Sequence, residues 1–247
     1  MIDVNSYTLQ NTGIEKCISQ MKNAADHGID TIIATSDFDG FASEDEFDVV
    51  NYVQDLNKSL LDDNIPITIL PGHRIFLSDN IITDLKDGFI LPLNINSGFL
   101  LVELPADHVP AYFRQLLFDL QVLGYQVIIN QPERNKGFIE NPDALYELVK
   151  CGALSQIATT SIVGKSGKKV QKFTQQLIES NLTHFVASGA NTGDNFYLEQ
   201  AYAQIEKMFG TEKLYLFSEN AQAIVDNQSA MIEEPVRIKK SKILGIF

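Results

Sequence analysis

Asp37, Arg74, Glu103, Gln131 and Arg134 each stand just after a short apolar run, as do Asn5 and Tyr7 near the N-terminus and Gly189 and Asn191 late in the chain. The carboxylates could ligate a hard cation or move protons. Each arginine offers a planar fork for phosphate or carboxylate. Pooled at one place, such residues would make an anion site, with or without a metal. Donors for a metal are few: of the four histidines, His27 ends a helical pattern, His108 begins one and His184 opens a strand. Only His73 lies near Asp37 and Glu103 in this ordering, a thin set for a catalytic metal. Nucleophilic catalysis has less support, since Ser188-Gly189-Ala190 is not a G-x-S-x-G elbow. Gly164-Lys165-Ser166-Gly167-Lys168-Lys169 lacks the spacing of a nucleotide-binding loop and reads as a basic loop. The bland alternative for the arginines is a structural ion pair, Arg134 with Glu133 and Arg74 with Glu103.

Positioning these residues requires strands that end where the polar groups begin. Ile2–Ser6, Thr31–Ala34, Ile67–Leu70, Phe99–Glu103, Val127–Ile129, Leu154–Ile157 and His184–Ala187 read as seven buried strands. Ser36–Gly40 and Pro71–Arg74 read as loops closing the second and third, and Pro132 stops the fifth. Between the strands, helical periodicity covers Ile14–His27, with Gly28 as its stop, and Pro110–Leu123, with Gly124 as its stop. Ser43 and Glu46 form a capping box for a helix to about Leu61. Asn141-Pro142 opens another to Lys150. Further helices are read at Asp79–Lys86, Lys168–Ser180, Phe196–Phe209 and Glu219–Asn227. Alternating strands and helices define an α/β fold with a parallel sheet, and the short, evenly spaced strands favour a barrel over an open sheet. Ligands then belong at the strand C-termini.

The 247 residues suit one domain, 1–247, with a basic tail at 237–247. A formal net charge of -13 excludes nucleic acid as the expected partner. Cys17 and Cys151 make no disulfide framework and read as reduced, buried thiols. No signal peptide is evident and no run approaches the roughly 18 apolar residues of a membrane span, so a cytoplasmic protein is expected.

The segments MIDVNSY, GIDTIIATSDF, LNKSLLDDNIPITILPGHRI, LLVELPADHVP, QLLFDLQVLGYQVIINQPERN, NPDALYELVKCGALSQI, NLTHFVASGAN and KILGIF occur in this order. Over nearly its whole length the chain resembles the manganese-dependent protein-tyrosine phosphatases of Gram-positive capsule and exopolysaccharide operons, members of the polymerase-and-histidinol-phosphatase (PHP) superfamily. The resemblance implies a distorted seven-stranded (βα) barrel, TIM-barrel-like, with a trinuclear metal site at the strand C-termini. It implies as substrate and partner the phosphotyrosine-bearing tail of a bacterial tyrosine autokinase.

Against the family pattern the ligand positions are altered. Asn5 and Tyr7 stand at the His-x-His pair, and Asn11-Thr12-Gly13 replaces an acidic turn. Asp37 replaces the first histidine of ATPHH, Arg74 the glutamate of PGxE, and Gln131 the histidine of HPER. Gly189 and Asn191 replace the aspartate and final histidine of SDAH. Glu103 is the one retained ligand position, and Arg134 keeps the phosphate-binding arginine. The expectation is a pseudophosphatase: no resident cofactor, a vestigial pocket, and Arg134 and Arg74 as anion holders acting on the kinase. The alternative is an active phosphatase with Mn²⁺ or Mg²⁺ on Asp37, Glu103 and Asp39 or His73. Membrane contact is expected only peripherally, through the kinase or the tail.

Overall fold

In a computed structural model, residues 1–3, 14–40, 46–189 and 196–239 are described. Seven strands stand side by side in chain order and every neighbouring pair is parallel. They are β1 (Ile2–Asp3), β2 (Thr31–Phe38), β3 (Thr68–Phe76), β4 (Phe99–Glu103), β5 (Gln126–Asn130), β6 (Leu154–Ala158) and β7 (Phe185–Ala187). The connections carry α1 (Ile14–Asp26), α2 (Glu46–Asp62), α3 (Ile81–Lys86), α4 (Phe113–Val122), α5 (Lys136–Glu140), α6 (Pro142–Lys150), α7 (Thr159–Ile162), α8 (Lys168–Glu179), α9 (Leu198–Phe209) and α10 (Thr211–Val225). The result is a nearly closed barrel. Its open seam, between β1 and β7, is bridged where the backbone N–H of Ser188 donates to the buried carboxylate of Asp3 at 2.7 Å.

Strand side chains alternate between the barrel interior and the helix layer. One set, Ile33, Phe99, Leu101, Ile128, Leu154 and Phe185, fills the interior over Ala221 and Ile224 of α10. Phe99 and Phe185 meet edge to face at 5.9 Å. The other set, including Ile32, Leu100, Val102, Ile129 and Val186, joins the helix-facing core. Each such side chain contributes roughly 1.5–3 kcal/mol on burial. Toward the C-terminal ends of β2 to β6 the same inward parity brings Asp37, Arg74, Glu103, Asn130 and Gln156, all polar. The fold thus places the site through alternation.

Two strands run further than their sequence suggests. Ser36-Asp37-Phe38 and Pro71–Arg74 are ladder, paired from Thr31↔Thr68 through Phe38↔Ile75. Pro71 is tolerated because β4 joins β3 only from Arg74↔Leu101, so the proline's missing N–H faces a loop. That loop approaches closely: the Asn94 N–H donates to the Pro71 carbonyl, and a Cβ on Gly72 would lie 2.8 Å from Leu93. Helix α10 begins at Thr211, two turns before the expected Glu219, because Gly210 at φ 90 ends α9 and restarts the chain. The short α5 and α7 had no periodicity to betray them. Cys17 is buried, whereas Cys151 is only partly so, at the end of α6. The capping residue Ser43 lies outside the described residues.

Arg237, the first residue of the basic tail, is packed down on α6. It pairs with Asp143 at 2.9 Å and Glu147 at 2.5 Å and lies over the Tyr146 ring at 4.2 Å. Residues 240–247 lie outside the described residues.

Candidate functional site

The polar layer at the C-terminal ends of the strands is a ring of paired side chains. Arg74 of β3 donates through Nε to Asp37 Oδ1 at 2.8 Å and through Nη2 to Oδ2 at 2.7 Å. Both ends of the carboxylate are engaged, and the guanidinium also lies 5.5 Å over the Phe76 ring. On the next strands Asn130 Nδ2 donates to Glu103 at 2.6 Å, and Gln156 Nε2 donates to Asn130 Oδ1 at 3.3 Å. Burial pushes the Glu103 carboxyl up from its ordinary range, against the opposing influences of Asn130 and Arg74. Gln131 begins the loop after β5 in the left-handed region, φ 44, and its amide nitrogen lies 3.2 Å from where a Cβ of Gly189 would stand. A non-glycine residue there is a costly conformation that the surrounding contacts must hold. Glycine at 189 leaves room for the Gln131 side chain.

Beyond the ring, residues Pro132–Arg134 make one 3-10 turn that separates two adjacent side chains by role. Glu133 points inward and is buried; its Oε1 accepts from the Ala158 N–H at 3.0 Å and the Ser161 hydroxyl at 2.8 Å. Burial raises its pKa, and its work is to hold the start of α7 against the turn. Arg134 points outward, 42% exposed, and is 4.0 Å from Glu133. Its Nη2 donates to the hydroxyls of Thr160 at 2.7 Å and Ser166 at 3.1 Å. The guanidinium is therefore held mainly by hydroxyls, with a long ion pair to Glu133, and remains part-exposed to a ligand. It lines a pocket of about 210 Å³ with Glu103, Asn130, Gln131, Asn135 and Phe138.

The residues expected at the site thus divide. Asp37, Arg74, Glu103, Gln131 and Gly189 gather at the barrel mouth, and Arg134 stands on its rim. Arg74 is taken up by Asp37, one strand away in register, rather than by Glu103, so its fork is not a vacant anion cradle. His73 is excluded from the mouth. It has the opposite strand parity to Arg74, is buried against Phe38 in the helix layer, and accepts the Leu91 N–H on Nδ1 at 3.0 Å. Burial lowers its pKa to about 4. Asp39 lies beyond the end of β2. Asn5, Tyr7 and Asn191 lie outside the described residues. Asn130 and Gln156 join the site without belonging to the expected set; the signal for them is that each lies two residues past an interior apolar residue, the spacing that points it into the barrel.

A divalent cation with hydrolytic duties needs several His, Asp or Glu donors converging on one point. Among the described residues no group of three or more His, Cys, Asp or Glu is so arranged. Asp37 already holds a guanidinium on both oxygens, and Glu103 accepts from an amide. The described donor set does not fit a metal cluster.

A nearly closed parallel barrel with a polar mouth and an arginine-rimmed pocket belongs to the class of α/β barrels that bind ligands at their strand C-termini. Within that class the chain belongs to the family "Capsular polysaccharide synthesis, CpsB/CapC", whose model matches residues 10–226. It is 40% identical over 233 residues to the tyrosine-protein phosphatase YwqE of Bacillus subtilis (strain 168), covering 93% of this chain and 91% of that protein. It is 30% identical to the putative tyrosine-protein phosphatase CapC of Staphylococcus aureus over 98% of both chains. Among solved structures it is similar to one described under YwqE from B. subtilis and CpsB from Streptococcus pneumoniae as "unique metal-dependent tyrosine phosphatases". That match has a TM-score of 0.93 and 38% identity, over 97% of this chain and 100% of that one. No helix among the described residues is long and apolar enough to cross a membrane.

Proposed function

We propose that this chain is a phosphotyrosine-binding member of its family that acts on a tyrosine autokinase in capsular or exopolysaccharide synthesis and holds the phosphorylated tail without hydrolysing it. The observation that carries this reading is the two-point fork of Arg74 on Asp37 across the barrel mouth. A fixed cation occupies one of the two mouth carboxylates, which leaves fewer acidic donors for a metal that would activate a hydroxide. Arg134, held by hydroxyls on the pocket rim, supplies the phosphate contact. Its Nε and Nη2 are already oriented, so little side-chain freedom is lost on binding. The reading treats residues 1–247 as one cytoplasmic unit that meets the membrane only peripherally, through the kinase or the basic tail.

The test is calorimetric titration with a phosphotyrosine peptide and its unphosphorylated twin. The reading expects preference for the phosphorylated peptide in wild type and loss of that preference in R134Q. Equal binding of the two peptides by wild type refutes it.

A second reading is favoured by the names of the relatives, a tyrosine-protein phosphatase and a putative one: an active enzyme using Mn²⁺ or Mg²⁺ at Asp37 and Glu103. It requires Arg74 to release Asp37. Elemental analysis of the purified protein, with a phosphotyrosine-peptide assay in added Mn²⁺, separates the two; bound metal with sustained phosphate release establishes the enzyme.

A further inference from the structure

The stretch from residue 148 to 178 contains five lysines and no acidic residue, in a chain that carries 32 Asp and Glu. Lys165, Lys168, Lys169 and Lys172 lie on the loop between α7 and α8 and on the first turns of α8, and all four are exposed. None is ion-paired among the described residues. They are not there for the helix: its first turn contains no acid, and lysine at that end opposes the helix dipole.

The loop is joined to the site. Ser166 accepts from Arg134 at 3.1 Å, and the Ser166 hydroxyl lies 3.3 Å from that of Ser161, whose own hydroxyl donates to Glu133. Lys165 reaches across to the Tyr197 ring, 5.8 Å away, at the start of α9. The basic surface therefore continues outward from the pocket rim, on a molecule whose net charge of -13 would otherwise repel an acidic partner.

We propose that Lys165, Lys168, Lys169 and Lys172 form a docking surface for acidic residues flanking the phosphate on a peptide ligand. The proposal builds on phosphate recognition at Arg134 and extends it to the neighbouring sequence of the ligand. Four exposed cations beside one arginine select an extended anionic chain; Arg134 alone would select only a phosphate. Most of the gain lies in steering and register, so it weakens with salt.

The test compares three synthetic peptides in low salt by fluorescence anisotropy. One has phosphotyrosine flanked by glutamates, one has phosphotyrosine flanked by glycine and serine, and one has glutamate flanks with unphosphorylated tyrosine. Wild type is expected to favour the acidic over the neutral phosphopeptide roughly fivefold, the size of two or three exposed ion pairs. The K165Q/K168Q/K169Q/K172Q variant is expected to bind both phosphopeptides alike and to keep its affinity for phenyl phosphate. The exposed positions make this variant safe for folding, and an unchanged thermal midpoint checks that. Equal binding of acidic and neutral phosphopeptides by wild type overturns the proposal, as does a preference that survives in the lysine variant. Capture of phosphatidylserine vesicles with no preference among the peptides overturns it too. If glutamate-flanked peptides bind equally with and without phosphate and the lysine variant loses both, the docking surface stands and phosphate recognition at Arg134 fails.

Discussion

Removing the Arg74 guanidinium while keeping its apolar stem, as R74M, strands the Asp37 carboxylate at the barrel mouth. The pair is bidentate at 2.8 and 2.7 Å, and its side chains are only 16% and 29% exposed. Charges about 4 Å apart at an effective dielectric of about 20 attract by about 4 kcal/mol before desolvation is counted. Partial burial offsets much of that, which leaves a coupling of about 1.5–2 kcal/mol, between surface pairs and fully buried ones. R74M and D37A are each expected to cost about 2 kcal/mol, and the double variant less than the sum by that coupling. For a chain of this size, about 2 kcal/mol lowers Tm by roughly 4–8 °C. Urea denaturation of the four proteins in the cycle provides the measurement, with equal m-values required. Additivity within about 0.3 kcal/mol would show that the two side chains do not interact, and the neutralised mouth would go with it.

Restoring an acid by R74E puts a third carboxylate beside Asp37 and Glu103. It is expected to lower Tm by several degrees in chelator and to recover part of the loss in millimolar Mn²⁺, while wild type stays unchanged, as thermal melts would report. E133A leaves the Ala158 N–H without its acceptor and should cost about 3 kcal/mol, whereas E133Q keeps one oxygen in place and should cost less than half of that; chemical denaturation distinguishes them. His73 and His184 are both lowered to about 4 by burial, so both rings stay neutral from pH 7 down to that value. An unfolded imidazole takes its proton near pH 6.5. Each histidine's contribution is therefore fully present above about 6.5 and is lost as pH falls from there to about 4. The urea midpoint of wild type relative to H184Q should fall across that window, and imidazole NMR signals of His73 and His184, assigned by their loss in H73Q and H184Q, that titrate near 6.5 would refute it.

Much of this architecture was legible because apolar runs and helix stops repeat with little interruption. Phe99–Glu103, ending on a charged residue, falls where its pattern places it, and so do the chain order and parallel sense of the strands. Strand ends were harder to read, for a physical reason. Ser36-Asp37 and Pro71–Arg74 have loop composition, yet β2 and β3 pair through them because each satisfies the other's backbone. The same blindness hid the site's pairing. Arg74 meets Asp37 through strand register across 37 residues of sequence, which no local pattern records. His73 looked like a site residue because it adjoins Arg74, but adjacent residues on a strand face opposite ways. Asn130 and Gln156 carried the inward alternation and were missed because neither side chain is acidic or basic. Arg134 could be read as a candidate anion holder or as a partner of Glu133; that it is held by the hydroxyls of Thr160 and Ser166 as well as by a long ion pair with Glu133 required the folded chain.

The fate of a phosphotyrosine peptide mixed with stoichiometric protein in Mn²⁺, followed by mass spectrometry over hours, separates holding the phosphate from hydrolysing it. The peptide is expected to be retained by wild type and recovered with its phosphate intact. Conversion to the unphosphorylated peptide, with release of inorganic phosphate, would contradict that expectation.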